Sequence, residues 1–273
     1  MHCIANDLNT SFMPQTLDSA VQVVVTNDFI YQPPTTAINA KRILVKPNLG
    51  YPVAPPVTVS MKVLGAVLQG LRKANPNAEI LLVEGVCSSV SLLDIANRLG
   101  VYSLLDEGMQ LLDADELPIK EYPNLSPSPV RFKSMFAPAI LEEVDCRISV
   151  GTFKRTILKA PLISASLKNL YGLFPRARYK ARSVNSRGQL HRPSVSQVLQ
   201  DVYFCIGRLF DGAVVDGSLK FVSKNWKPDK GQAMELGKVF FGDDILAVDR
   251  IACQVGGEAI PEYLDAIEKL KTV

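Results

Sequence analysis

Four charged residues stand at comparable points of the chain. Lys46 follows Val45 and precedes Pro47-Asn48, and Glu84 follows Val83 and precedes Gly85. Lys154 lies just beyond Val150-Gly151, and Asp216 sits between Val215 and Gly217. Each closes or follows a short apolar run at a Pro or Gly. Lysines suit phosphate or carboxylate binding, and carboxylates suit acid/base work or a hard cation such as Mg²⁺. Asn48, directly after Lys46-Pro47, adds an amide that can orient a ligand. A simpler reading is that such charges only mark where strands leave the core. Four of them in one pattern favour a shared site.

A fifth cation lies inside an apolar run, Ala165-Ser166-Leu167-Lys168-Asn169-Leu170-Tyr171-Gly172-Leu173. A lysine in that setting either reaches water along its stem or meets an anion. Asn169 beside it can both donate and accept hydrogen bonds. Lys168, Glu84 and Asp216 are the candidate catalytic groups. Lys46, Asn48, Lys154, Asn169, Arg176 and His191 are the candidate binding groups. Asp249, in Ala247-Val248-Asp249-Arg250, is a candidate buried partner for one of the lysines, or a partner of Arg250 or Arg42.

The elements that would carry these residues can be read from the apolar pattern. Strands are expected at Val21–Val25, Arg42–Lys46, Glu79–Val83, Met109–Leu112, Arg147–Val150, Gly212–Val215 and Lys238–Phe241. Helices are expected from Thr58 or Ser60 to Lys73, Ser91 to Leu99, Val198 to Leu209, Asp244 to Val255 and Pro261 to Leu270. Leu162 to Leu173 fits a helix or an irregular loop. Residues 116–138 hold five prolines and read as loop. Alternation of strands and helices predicts an α/β fold: a mostly parallel twisted sheet with helices on both faces, plus an irregular basic insertion. One domain over residues 1–273 is expected, with 1–18 as a terminal extension. Ligands of open α/β sheets bind outside the carboxyl ends of the strands, where the four charged residues would stand.

Composition narrows the functional classes. The 273 residues are 47% hydrophobic and 21% charged, ordinary globular values that exclude wholesale disorder. No apolar run reaches a membrane-spanning length, and Met1 to Thr16 has no signal-peptide pattern, so a cytoplasmic location and no membrane partner are expected. The five cysteines are scattered without a C-x-x-C pair, which argues against a zinc ribbon and against an intrinsic iron–sulfur cluster. With only His2 and His191, a multi-histidine metal site is excluded. No glycine-rich nucleotide-binding loop is present.

The net charge of +3 conceals a basic segment. From Cys146 to Gln200 there is no Asp or Glu but eleven Lys and Arg, leaving 19 of the 30 basic residues against all 27 acidic ones elsewhere. The segment 147–192 therefore suggests an anionic partner, or else a loop that faces acidic residues of the same chain.

Taken in order, these motifs resemble the family named domain of unknown function 362. Lys46-Pro47-Asn48-Leu49, Thr58, Glu84-Gly85, the strand leading to Lys154, Leu167-Lys168-Asn169-Leu170-Tyr171-Gly172, Asp216-Gly217 and Ala247-Val248-Asp249 match its pattern over about residues 42 to 258. Two features depart from it: Thr156 stands where His is frequent, and the ferredoxin-like cysteine clusters of many relatives are missing. The resemblance implies a fold and site positions but no reaction. The primary expectation is an enzyme acting on a phosphate- or carboxylate-bearing small molecule. The alternatives are nucleic-acid binding through 147–192, with Tyr171, Phe174 and Tyr179 as stacking platforms, and a redox adaptor for a separate iron–sulfur protein.

Overall fold

The structure is a computed structural model that describes residues 21–157, 161–225 and 230–272. The expected extension 1–18, with His2 and Cys3, lies outside the described residues, as does Lys159 of the basic segment. The strands are β1 (Val21–Val25), β2 (Arg42–Pro47), β3 (Glu79–Glu84), β4 (Met109–Asp113), β5 (Ile119–Pro123), β6 (Ser134–Pro138), β7 (Cys146–Ile157), β8 (Pro161–Ser164), β9 (Gly212–Val222) and β10 (Gln232–Gly242). The helices are α1 (Met61–Ala74), α2 (Leu92–Leu99), α3 (Ser166–Asn169), α4 (Arg176–Tyr179), α5 (Val195–Cys205), α6 (Ile245–Val255) and α7 (Glu262–Lys271).

Eight strands form one sheet in the order β1-β10-β9-β7-β2-β3-β4, with β8 added to the far half of β7. The pairs β4/β3, β3/β2, β2/β7 and β7/β9 are parallel. The pairs β9/β10, β10/β1 and β7/β8 are antiparallel. The strands ending at Lys46 and Glu84 and those carrying Lys154 and Asp216 are therefore adjacent and point the same way, which brings their carboxyl ends to one edge.

Alternation along the strands divides the core into two layers. Ile43 and Val45 of β2, with Ile80 and Leu82 of β3, pack under α1 and α2. Leu44, Leu81 and Val83 face the opposite layer, built from α5, α6 and α7. Burial on both faces explains why β3 reads as an unbroken apolar run rather than an alternating one. The helices start where the capping residues predict. The Ser60 hydroxyl accepts from Val63 N at 3.3 Å, that of Ser91 from Asp94 N at 3.1 Å, and the Asp244 carboxylate from Leu246 N at 2.7 Å. Gly100, at φ 79°, ends α2 in the left-handed conformation.

Several expectations need correction, among them the strands at Gly212–Val215 and Lys238–Phe241, which run over Gly212–Val222 and Gln232–Gly242 and so place Asp216 inside β9. Residues 116–138 are not simply loop, because β5 and β6 pair antiparallel there and bury Tyr122 and Met135. The strand at Arg147–Val150 runs on to Ile157, held by β8 and β9 on its two sides. The stretch 162–173 is strand, then one helical turn at Ser166–Asn169, then a 3₁₀ turn at Leu170–Leu173. Tertiary anchors, rather than propensity, hold those short turns.

Candidate functional site

The first anchor is Asp249 in α6. Its fully buried carboxylate accepts from Ser166 N at 2.7 Å, from the Ser166 hydroxyl and from Leu167 N at 3.1 Å. These bonds satisfy the first amides of α3 and fix the direction in which Lys168 and Asn169 leave the turn. Asp249 is thus not the charge partner of a lysine. Arg250 pairs with Asp265, and Arg42 with Glu79, so those alternatives fall as well. Burial pushes the Asp249 carboxyl up to about 6, opposed by the hydrogen bonds it accepts from Ser166 and Leu167.

Asn169 carries the link from α3 to the sheet. Its amide donates to Lys46 O at 2.8 Å and to the Ser149 hydroxyl at 3.2 Å, while its oxygen accepts from Lys46 Nζ at 3.3 Å. Lys46 Nζ also lies 2.7 Å from Glu84 Oε1 and donates to Pro47 O at 2.9 Å. The other Glu84 oxygen accepts from Leu49 N at 2.7 Å, and Oε1 takes a further bond from Gly85 N at 2.8 Å. Desolvation lowers the Lys46 pKa, partly offset by the Glu84 charge. Lys46, Glu84 and Asn169 therefore form a closed buried network that ties β2, β3 and α3 together.

Lys154 and Lys168 differ from Lys46. Both are half-buried, and among the described residues neither forms an ion pair. Lys154 Nζ donates to Val57 O at 2.7 Å, and Lys168 Nζ lies 3.8 Å from the centre of the Tyr171 ring. Desolvation and then the Lys168 charge push Lys154 down to about 7. Desolvation pushes Lys168 down to about 8, with Cys87 opposing and Arg187 and Lys46 adding to the shift. For both lysines burial is the larger cause and neighbouring positive charge the smaller one, and the solvent that still reaches part of each residue limits the shift.

The remaining candidates occupy the surroundings of this cluster. Asp216 accepts from Ser60 N at 2.9 Å, from Ser218 N at 3.0 Å and from the Ser218 hydroxyl at 2.6 Å, which fixes the start of α1 to β9. The Asn48 side chain has no partner among the described residues, while its carbonyl accepts from Val59 N at 3.0 Å. Arg176 turns aside to Asp115, 2.6 Å away. His191 is exposed at the rim, edge-on to Tyr171 at 5.7 Å between ring centres. Burial of its ring and then the Lys168 charge lower its pKa, a shift that solvent at the rim blunts. Among the described residues no group of three or more His, Cys, Asp or Glu side chains is placed to hold a metal ion.

Two residues complete the cluster that sequence reasoning did not single out. Arg187 is buried and donates to Phe174 O, Val86 O at 2.9 Å, Cys87 Sγ at 3.2 Å and Gly172 O at 3.2 Å, with Asp115 as its ion-pair partner at 3.2 Å. It is one of the eleven cations of the basic segment, but nothing in its sequence neighbours marks it as the buried one. Asp115 lies just after β4, a strand end that the four-residue pattern overlooked. Four cations of the basic segment are answered by acids of the same chain: Arg147 pairs with Asp211, Arg155 with Glu258, and Arg176 and Arg187 with Asp115. Tyr171, Phe174 and Tyr179 are all buried in the core, so none is free to stack on a base. A cavity of about 490 Å³ between Leu125, Tyr203, Phe204 and Leu270 is lined by none of the candidate residues.

Fold and site together define an α/β protein with a cationic cluster at the carboxyl edge of a mostly parallel sheet. The chain belongs to the family described as Domain of unknown function (DUF362), which matches residues 43–254. No curated protein matches it. Among solved structures it is similar to the lactate racemase apoprotein from Thermoanaerobacterium thermosaccharolyticum, at 14% identity and a TM-score of 0.47, over 81% of this chain and 51% of that one. The chain thus spans about half the length of that structure. No helix among the described residues is long and apolar enough to cross a membrane.

Proposed function

We propose that the protein acts on a small anion bearing phosphate or carboxylate, bound between Lys154 and Lys168. One observation carries this reading: among the described residues, two neighbouring half-buried ammonium groups have no carboxylate partner, while the other buried cations are paired. Holding like charges together out of water is costly, and an anion that binds between them removes that cost. In this reading Glu84, Asp216 and Asn169 are positioning residues. Their polar atoms are engaged in holding β2, β9, α1 and α3, and Lys46 is spent on its pair with Glu84. Asn48, with its unengaged amide, orients the ligand from the β2 end, and His191 flanks it at the rim. A hard cation such as Mg²⁺ would then arrive with the ligand, as a phosphate complex.

Thermal unfolding in the presence of inorganic phosphate, pyrophosphate, citrate and their Mg²⁺ complexes tests the reading. A ligand of the native state at a hundred times its Kd stabilises by about 2.7 kcal/mol. The melting temperature should rise with at least one of these anions, and the rise should vanish in Lys168→Ala. A melting temperature that no anion moves would discard the assignment.

A further inference from the structure

We propose that Lys154 is an amine nucleophile that forms an imine with a carbonyl group of the anion, while Lys168 remains the charged seat for its phosphate or carboxylate. The inference rests on the anion-binding reading and names the substrate class for it: an aldehyde or ketone that also carries an anionic group. Three structural facts point to Lys154 rather than another lysine.

The first is its bonding. Among the described residues Lys154 Nζ has one hydrogen-bond partner, Val57 O at 2.7 Å, which takes a single N–H and leaves the lone pair of a neutral amine unused. Lys46 is instead locked to Glu84, Pro47 O and Asn169, so its nitrogen has no free valence for a carbonyl carbon.

The second is its surroundings. The ionisable groups around Lys154 are Lys168, Lys46, Glu84 and Cys87, and the Glu84 oxygens are already committed to Lys46 and two backbone amides. A lysine that is desolvated and placed beside another cation is the arrangement that yields a nucleophilic amine near neutral pH. Lys154 shows the effect, being lowered to about 7.

The third is Thr152, two residues earlier on β7. Its hydroxyl is buried and has no hydrogen-bond partner among the described residues. Buried hydroxyls are normally satisfied, so an unused donor and acceptor on the same strand as the amine calls for a partner. The carbinolamine oxygen formed by amine addition is such a partner. The step balances without a further reactant. The neutral amine adds to the carbonyl carbon, nitrogen gives up its two protons, the former carbonyl oxygen leaves as water, and a C=N bond replaces C=O.

Pyridoxal 5′-phosphate is a suitable probe, used here only as an aldehyde that bears a phosphate. The intact protein would be treated with a limiting amount, reduced with borohydride, and mapped by peptide mass spectrometry. The expected result is one reduced adduct per chain on Lys154, at an occupancy about tenfold or more above that of the exposed Lys62, because a lowered pKa enlarges the neutral fraction. Excess inorganic phosphate should suppress it, and Lys154→Arg, whose guanidinium cannot form the imine, should abolish it. Adducts spread over exposed lysines, or confined to Lys168, would overturn the proposal. If phosphate still stabilises the protein but Lys154 is never modified, the imine chemistry is wrong and the anion site stands. If phosphate neither stabilises the protein nor protects Lys154, both are wrong.

Discussion

Gly172 lies directly against Glu84: a Cβ added at Gly172 would stand 2.1 Å from Glu84 Oε1 and 2.8 Å from Lys46 Nζ. The backbone of the 3₁₀ turn therefore forms one wall of the Lys46–Glu84 pair. This explains why the Leu167–Gly172 motif ends in glycine although its φ is not positive: space, not backbone conformation, requires it.

Gly172→Ala should accordingly destabilise the protein by about 1–3 kcal/mol, the usual cost of forcing extra volume into a packed interior. Gly50→Ala, where an added Cβ meets nothing within 4 Å, should change stability far less. Urea unfolding of the two variants makes the comparison.

The Lys46–Glu84 pair, 2.7 Å apart and almost without solvent contact, should behave as a unit. Lys46→Met or Glu84→Gln alone leaves a buried polar group or charge uncompensated and should cost about 3–5 kcal/mol. The double variant should be clearly more stable than the sum of the single losses implies, because neither charge is then stranded. Strict additivity in the double-mutant cycle would mean that the two side chains are not coupled.

Anion affinity should weaken with rising pH. Lys154 at about 7 and Lys168 at about 8 lose their protons in turn, so the positive charge of the site falls between roughly pH 6.5 and 8.5. For folding the sign is opposite. These lysines hold fewer protons in the native than in the unfolded chain above their native pKa, so their contribution to stability grows as pH rises from about 7 toward 10. Isothermal titration with phosphate across this range, corrected for phosphate's own ionisation, checks the first statement. Affinity independent of pH would contradict it.

Asp249 gives a second pH signature, with its own sign. Its native pKa of about 6 exceeds the ordinary 3.8, so between those values the native chain binds more protons than the unfolded one, and stability falls as pH rises from 4 to 6. Asp249→Asn should flatten that segment of the stability curve. It should also loosen the Ser166–Asn169 turn, since an amide cannot accept from both Ser166 and Leu167 as the carboxylate does. Urea midpoints at pH 4, 5 and 6 for both proteins decide it.

Arg187→Lys should be as damaging as a larger change. A guanidinium bridges Phe174, Val86, Cys87, Gly172 and Asp115 at once, and an ammonium has neither the reach nor the number of donors. The variant should lose stability and, because the Lys168–Gly172 turn is no longer tied to the β3 loop, phosphate binding with it. Circular dichroism melts and phosphate titration read both.

The sequence by itself determined the local elements and the sheet edge that carries the site. Seven strands and five main helices were legible because each is written in a short-range code: the unbroken apolar run of β3, the helical spacing in α1, the caps Ser60, Ser91 and Asp244. Parallel pairing followed from the alternation of strands and helices, and it was enough to bring the ends of β2, β3, β7 and β9 together. Which charges are spent on one another was decided only by the tertiary structure. Pairing depends on distances between residues far apart in sequence, as with Lys46 and Glu84, Arg187 and Asp115, or Asp249 and the Ser166 turn. Among the described residues the same distances leave Lys154 and Lys168 without acids. A lysine that stabilises the fold and one that is free for chemistry look alike in sequence, because what separates them is the desolvation of each ammonium group and the presence or absence of a carboxylate within reach.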